Sequence, residues 1–126
     1  MAFKKILVWS NLGFVVPLIL AVYWSVYWYT LVLAASLLLS IAYHYSHERA
    51  YKKIDVAGAA MLITSNLILL FVGRGAPMVL ILSAVFLAAL ALSVYALQRR
   101  RYELFHSVYH VLSAAVCTLC LIVYHW

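Results

Sequence analysis

Five residues of this chain are the best suited to chemistry by type and spacing: His44, His106, His110, Asp55 and Ser40. His106 and His110 are four residues apart, so on a helix their imidazoles project from the same face, one turn apart. Two imidazoles in that arrangement can bind one metal ion. Ser40 and His44 have the same spacing, which predicts a second polar face that ends in a third imidazole.

Zinc is the metal that this set of residues predicts. Three neutral histidine nitrogens that leave a fourth position open are a ligand set of catalytic zinc, whereas structural zinc sites usually include cysteine. We therefore expect His44, His106 and His110 to be ligands. Zinc acidifies a bound water and polarises a carbonyl group. Asp55 could orient that water or accept its proton, and Ser40 could hold Asp55 or donate a hydrogen bond to an oxyanion.

Each of the five residues also has an ordinary structural interpretation. Asp55 stands where a helix N-cap would stand, and aspartate is a favoured cap. His44 and His106 fall near the predicted ends of membrane spans, where an imidazole could simply meet water, and Ser40 could bond to the backbone one turn back. His110 is predicted to lie further inside its span. The joint occurrence of all five at one membrane depth favours the metal site over these separate explanations.

The composition indicates which elements must position these residues. Hydrophobic residues make up 69% of the 126 residues and charged residues 10%, which is outside the range of a soluble globular domain. Residues 6–43 contain no Asp, Glu, Lys, Arg or His. This segment is roughly twice the ~20 residues needed for one crossing, so it must fold back once. We predict an all-α integral membrane protein with a single domain, residues 1–126, formed by five transmembrane helices.

Aromatic and charged segments separate the predicted spans. Trp and Tyr cluster in residues 23–29, and both residue types are enriched at headgroup level. Residues 73–77 contain two glycines and a proline, which predict a tight turn. The charged segments 47–53 and 98–101 mark the two other connections. The predicted spans are residues 6–23, 26–44, 55–72, 78–97 and 104–124.

The basic residues predict the orientation of this bundle. With five spans, eight of the nine Lys and Arg residues fall on one side of the membrane, and only Arg74 falls on the other. Because basic loops are retained in the cytoplasm, the N-terminus is predicted inside and the C-terminus outside, with the site near the cytoplasmic face. The basic residues are spread over span ends, so the net charge of +6 does not indicate a nucleic-acid partner.

The order of the motifs is similar to that of a known group of membrane enzymes. Residues 40–44 form a Ser-x-x-x-His at a span end, Asp55 is predicted to begin the next span, and residues 106–110 form a His-x-x-x-His in the last. This pattern resembles the CREST superfamily of membrane hydrolases, which contains alkaline ceramidases, the adiponectin and progestin receptors and relatives of glycosylphosphatidylinositol remodelling factors. The resemblance implies a zinc ion bound by His44, His106 and His110, with Ser40 and Asp55 beside the catalytic water.

Hydrolysis of an amide or ester bond in a membrane lipid is the activity that the resemblance implies. Members of the superfamily usually have a seven-span core, whereas five spans are predicted here, with the motifs on the second, third and last. A second copy of the chain is therefore a further partner to consider, since it could complete the enclosure. The depth of the polar residues agrees with a lipid substrate, because acyl linkages lie near the headgroup boundary.

Two other functions are compatible with the same residues. In a haem protein, His44 and one of His106 or His110 would be axial ligands, which leaves Asp55 and the remaining histidine without a role. In a noncatalytic receptor, scaffold or transporter, a metal would only hold the helices together. An absorption spectrum distinguishes haem from zinc, and a lipid panel distinguishes an enzyme from a scaffold.

Overall fold

A computed structural model describes residues 2–46, 49–99 and 101–126, with side chains described for 6–46, 52–99 and 101–126. Residues 47, 48 and 100, which belong to the predicted charged connections, lie outside these ranges. The all-α prediction is confirmed, because every regular element of the described residues is helical. The elements are α1 (Ala2–Ser10), a 3₁₀ turn (Asn11–Phe14), α2 (Val15–Tyr23), α3 (Tyr27–Ser46), α4 (Arg49–Val72), α5 (Met78–Leu97) and α6 (Tyr102–His125).

Five helical segments of the described residues are long and apolar enough to cross a membrane. Their bounds agree with the predicted spans to within three residues at either end. The first segment is composed of α1, the 3₁₀ turn and α2, and the other four each lie within one helix. The segments are Ile6–Tyr23, Tyr27–Ser46, Lys52–Val72, Met78–Leu97 and Tyr102–His125.

The reversal between the first two spans occurs at Trp24 and Ser25, inside the aromatic cluster where it was predicted. The backbone N–H of Val26 donates to the carbonyl of Ala21 over 2.8 Å, which closes the end of α2. Ser25 has a φ of 60°, in the left-handed region that residues other than glycine rarely adopt. The turn is therefore tight and carries some backbone strain.

Helix α4, which contains the third span, begins earlier than the predicted start of that span. We expected it to begin at Asp55, whereas α4 begins at Arg49, so the charged connector is largely helical. Arg, Ala and Lys are good helix formers, and their presence between 49 and 53 lets the helix continue beyond the apolar segment. Asp55 lies in the second turn of α4, beyond the first four N–H groups that a cap could satisfy. The capping interpretation of Asp55 is therefore wrong.

Helix α6 is the centre of the bundle and packs against α1, α2, α4 and α5. Helix α3 packs against α2 and α4. In the described part of the chain, α4 and α5 are joined by a short turn but do not pack along one another. A cleft therefore lies between α4 and α5, with α6 as its floor.

A buried hydrogen-bond chain ties three helices together in the apolar interior. The Tyr29 hydroxyl of α3 donates to Oδ1 of Asn66 in α4, and Nδ2 of Asn66 donates to Sγ of Cys117 in α6 over 3.5 Å. Polar contacts between helices stabilise their association where no water is present. These hydrogen bonds fix the rotation of α3, α4 and α6, the three helices that carry the predicted site residues.

Candidate metal centre

The three predicted histidine ligands are buried, with 1% of His44, 6% of His106 and 5% of His110 exposed. Each lies on the core-facing stripe of its helix, since buried residues recur at intervals of three, four or seven. Buried polar atoms need hydrogen-bond or metal partners to offset the loss of water. The stripe of α3 consists of Tyr29, Leu33, Ser40 and His44, and that of α6 includes His106, His110, Ala114, Cys117 and Leu121.

The three imidazoles converge on one point. One ring nitrogen of each histidine lies within 4.8 Å of the other two. Nε2 of His44 and Nε2 of His106 are 3.1 Å apart, and the ring centroids of His106 and His110 are 4.6 Å apart. Two nitrogens bound tetrahedrally to zinc at ~2.0–2.1 Å are separated by about 3.3 Å. The cluster therefore has the dimensions of a site that could bind a metal ion.

Gln98 determines the tautomer of His106. Oε1 of Gln98 lies 2.9 Å from Nδ1 of His106. An amide oxygen can only accept a hydrogen bond, so Nδ1 carries the proton and donates it. The lone pair of the neutral ring is then on Nε2, the nitrogen that faces His44.

Ser10 determines the tautomer of His110. The Ser10 hydroxyl donates to the carbonyl of Leu7 over 2.9 Å, so its oxygen is left to accept from Nδ1 of His110, 3.0 Å away. This again leaves the Nε2 lone pair of the histidine for a ligand. Metal-binding histidines usually donate their second N–H to an oxygen in this way. The contact also ties the first span to the centre of the bundle.

Ser10 and Gln98 were not among the residues that the sequence pattern singled out. Each had a weak signal: Ser10 is a hydroxyl in an apolar first span, and Gln98 is the uncharged polar residue of the basic segment 98–101. Neither signal names a partner, because the contacts join helices that are distant along the chain or meet across a turn. Only the packing of α1 and α5 on α6 brings them to the histidines.

Asp55 and Ser40 line the cavity that His106 and His110 also line. The Ser40 hydroxyl, 8% exposed, approaches the carboxyl group of Asp55 as a hydrogen-bonding neighbour. His44 does not line this cavity, but its ring contacts both of those imidazoles. Four of the five sequence-predicted residues thus line one cavity, and the fifth, His44, reaches it through its contacts with His106 and His110.

The cavity has a volume of about 450 Å³ and extends from the polar residues into the apolar bundle. From Asp55 to Leu70, both in its wall, α4 advances fifteen residues, or about 22 Å. That is longer than one leaflet, half of the ~30 Å hydrocarbon core. The part of the wall that is distant from Asp55 along α4 consists of Asn66 and the apolar residues Leu67 and Leu70, and other apolar wall residues include Leu92 and Val116.

No family model, curated protein or solved structure matches this chain. The short distance between the histidine nitrogens bears on the haem interpretation. A bis-histidine haem needs two imidazoles on opposite faces of a flat macrocycle, and the 3.1 Å between the Nε2 atoms of His44 and His106 leaves no space for one. The cluster favours a single small cation.

Proposed function

We propose that this chain is a zinc-dependent intramembrane hydrolase that cleaves an amide or ester bond of a lipid, and that it is a shortened, five-span member of the CREST superfamily. One observation carries the proposal: a single cavity is lined by Asp55, Ser40 and two members of the histidine cluster, His106 and His110, and also by many apolar side chains. His44, His106 and His110 would hold the metal through their Nε2 atoms. Zinc bound there would supply a Lewis acid and an acidic water.

Asp55 would accept the proton of the attacking water. Asp55 lies within α4 and not at its N-terminus, so it does not cap the helix, and it lines the same cavity as His106. Ser40 would hold the carboxylate in position through its hydroxyl, or donate to the oxyanion that develops on the substrate carbonyl. Ser10 and Gln98 would keep His110 and His106 in the tautomer that ligation needs.

The apolar part of the cavity would bind an acyl chain. A chain that enters between α4 and α5 would lie along the cavity and exclude water from it, with its carbonyl group at the polar end. The bond to be cleaved would then meet the histidine cluster at the depth where lipid acyl linkages lie. This arrangement explains why a hydrolytic centre would be buried in a membrane bundle.

Metal analysis of the purified protein tests the ligand assignment. We expect one zinc per chain in detergent-purified wild-type protein and a loss of zinc in His110→Ala. His125→Ala is the matched control, since His125 lies at the other end of α6, where its ring stacks on Trp24 at 4.4 Å. Full zinc retention by His110→Ala would contradict the proposed ligand set.

A lipid panel tests the catalytic assignment. Asp55→Asn is expected to keep its zinc and to lose activity by about 10²–10⁴-fold, the usual contribution of a general base. The panel should include N-acyl and O-acyl lipids of matched chain length. Stoichiometric zinc without hydrolysis of any member would instead support a noncatalytic protein whose metal holds the helices together.

The N-terminus is proposed to lie in the cytoplasm and the C-terminus outside, because eight of the nine Lys and Arg residues fall on one side of the membrane when five spans are assigned to the sequence. Single reactive cysteines test this orientation in intact cells. An impermeant thiol reagent should label Arg74→Cys and leave Lys53→Cys unlabelled until the cells are opened. The reverse pattern would place the metal centre at the outer face.

A further inference from the structure

Lys52 is a cation in the wall of the cavity, next to its polar end. It precedes Asp55 by three residues in α4, so the two side chains lie on one face of the helix and differ in height by about 4.5 Å. Lys53 is also exposed but is not among the residues that line the cavity. The two neighbouring lysines therefore have different surroundings although they carry the same charge.

The ammonium group of Lys52 has no carboxylate partner among the side chains that the structure describes. Asp55, one turn away on the same face, interacts with Ser40 and makes no ion pair with Lys52. A lysine at a membrane boundary ordinarily directs its head to water while its stem covers apolar surface. Here the stem borders the space in which a lipid headgroup would lie, so the charge is available to a ligand.

We propose that Lys52 binds the phosphate of a lipid headgroup, so that the substrate is an acyl phospholipid and not a neutral lipid. The inference rests on the proposed function, in which the acyl carbonyl lies at the histidine cluster. In a glycerophospholipid only a few bonds separate that carbonyl from the phosphate, which matches the single helical turn between Asp55 and Lys52. The ammonium would form a charge-assisted hydrogen bond and offset the repulsion between the phosphate and the Asp55 carboxylate.

A binding competition in detergent tests the phosphate site without requiring turnover. A fluorescent fatty acid bound in the cavity is displaced by lysophosphatidic acid or by a monoacylglycerol with the same chain. Wild-type protein should bind lysophosphatidic acid about tenfold more tightly, the effect expected of one charge-assisted contact. Lys52→Met should lose this preference and Lys53→Met should keep it. Both variants remove one positive charge from the same helix end, so their difference isolates the cavity position.

Lys52→Arg provides a second variant in which the charge is retained and the preference should persist. An unchanged preference in Lys52→Met, or an equal loss in Lys53→Met, would overturn the assignment. Glycerol phosphate, which has the headgroup but no acyl chain, should not displace the probe at concentrations where lysophosphatidic acid does. Displacement by glycerol phosphate would indicate a site for free phosphate and overturn the assignment to a lipid.

The binding test separates this inference from the proposed hydrolase. Wild-type protein stripped of metal by a chelator and then desalted still contains Lys52, so it should retain the phosphate preference. If the zinc-loaded protein shows this preference but hydrolyses no lipid, the headgroup site is supported and the hydrolase is contradicted. If it hydrolyses neutral and phosphate-bearing lipids alike and shows no phosphate preference in binding, the hydrolase is supported and the headgroup site is contradicted.

Discussion

Nδ1 of His106 donates a hydrogen bond to Oε1 of Gln98 over 2.9 Å, across the turn between α5 and α6. The contact directs Nε2 of His106 toward Nε2 of His44, 3.1 Å away. Gln98 follows directly after α5, so the end of that helix is held against the start of α6. A residue that would bind no metal thus determines which nitrogen of His106 can do so.

Replacing Gln98 by leucine should weaken zinc binding by about 10–100-fold, because the His106 ring loses the acceptor that orients it. Gln98→Glu keeps an oxygen acceptor at the same position and should bind zinc at least as well as the wild type. Competition with a chromophoric zinc chelator measures the affinities. Wild-type affinity in Gln98→Leu would mean that packing, including the stack of Tyr102 on His106 at 4.8 Å, orients the ring by itself.

Replacing Ser10 by alanine should lower both stability and zinc affinity. The variant removes the Ser10 oxygen that lies 3.0 Å from Nδ1 of buried His110, and the loss of one hydrogen bond typically costs about 0.5–1.5 kcal/mol. Ser93→Ala is the matched control, since the Ser93 hydroxyl is exposed and bonds only to the carbonyl of Ala89. Thermal unfolding in detergent, with and without added zinc, measures the effect. Equal unfolding temperatures for the two variants would argue against the Ser10 contact.

Replacing Gly73 by alanine should destabilise the bundle where α4 meets the end of α6. A Cβ at this position would lie 2.5 Å from the carbonyl oxygen of Val123, so the backbone must shift. Such overpacking typically costs about 1–3 kcal/mol. At Gly75 the same substitution meets nothing within 4 Å, so Gly75→Ala should unfold like the wild type. A comparable loss in both variants would point to backbone flexibility instead of the close approach.

Replacing Ser25 by glycine should stabilise the reversal between the first two spans by about 0.5–1 kcal/mol. Glycine adopts the observed φ of 60° without the steric cost that a Cβ imposes, although its flexibility in the unfolded chain offsets part of the gain. Ser25→Ala keeps the Cβ and should give no gain. Unfolding in denaturing detergent compares the three proteins. A loss of stability in Ser25→Gly would assign greater importance to the contact between Ser25 and the Tyr27 hydroxyl.

The number and limits of the spans could be predicted from the sequence because both depend on local properties. A run of apolar residues long enough to cross a bilayer must be helical, whatever its neighbours are. The charged residues mark the boundary of the apolar segment, but they do not end the helix. For this reason Asp55 was misplaced at a helix start, although α4 begins at Arg49 and continues through the boundary without a break.

The membership of the histidine cluster was also predictable, since spacing fixes which side chains share a helix face and charge fixes their common depth. His106 and His110 had to project together, and His44 had to lie at the same height. Neither rule specifies how a helix is rotated about its axis relative to its neighbours. Tertiary packing decided that rotation: the contacts of α6 with α1 and α5, and of α3 with α1, α2 and α4, turned the three imidazoles inward. The same packing brought Ser10 and Gln98 to Nδ1 of His110 and of His106. The separation of α4 from α5, which opens the cavity, likewise depends on how whole helices pack and has no counterpart in any local pattern of residues.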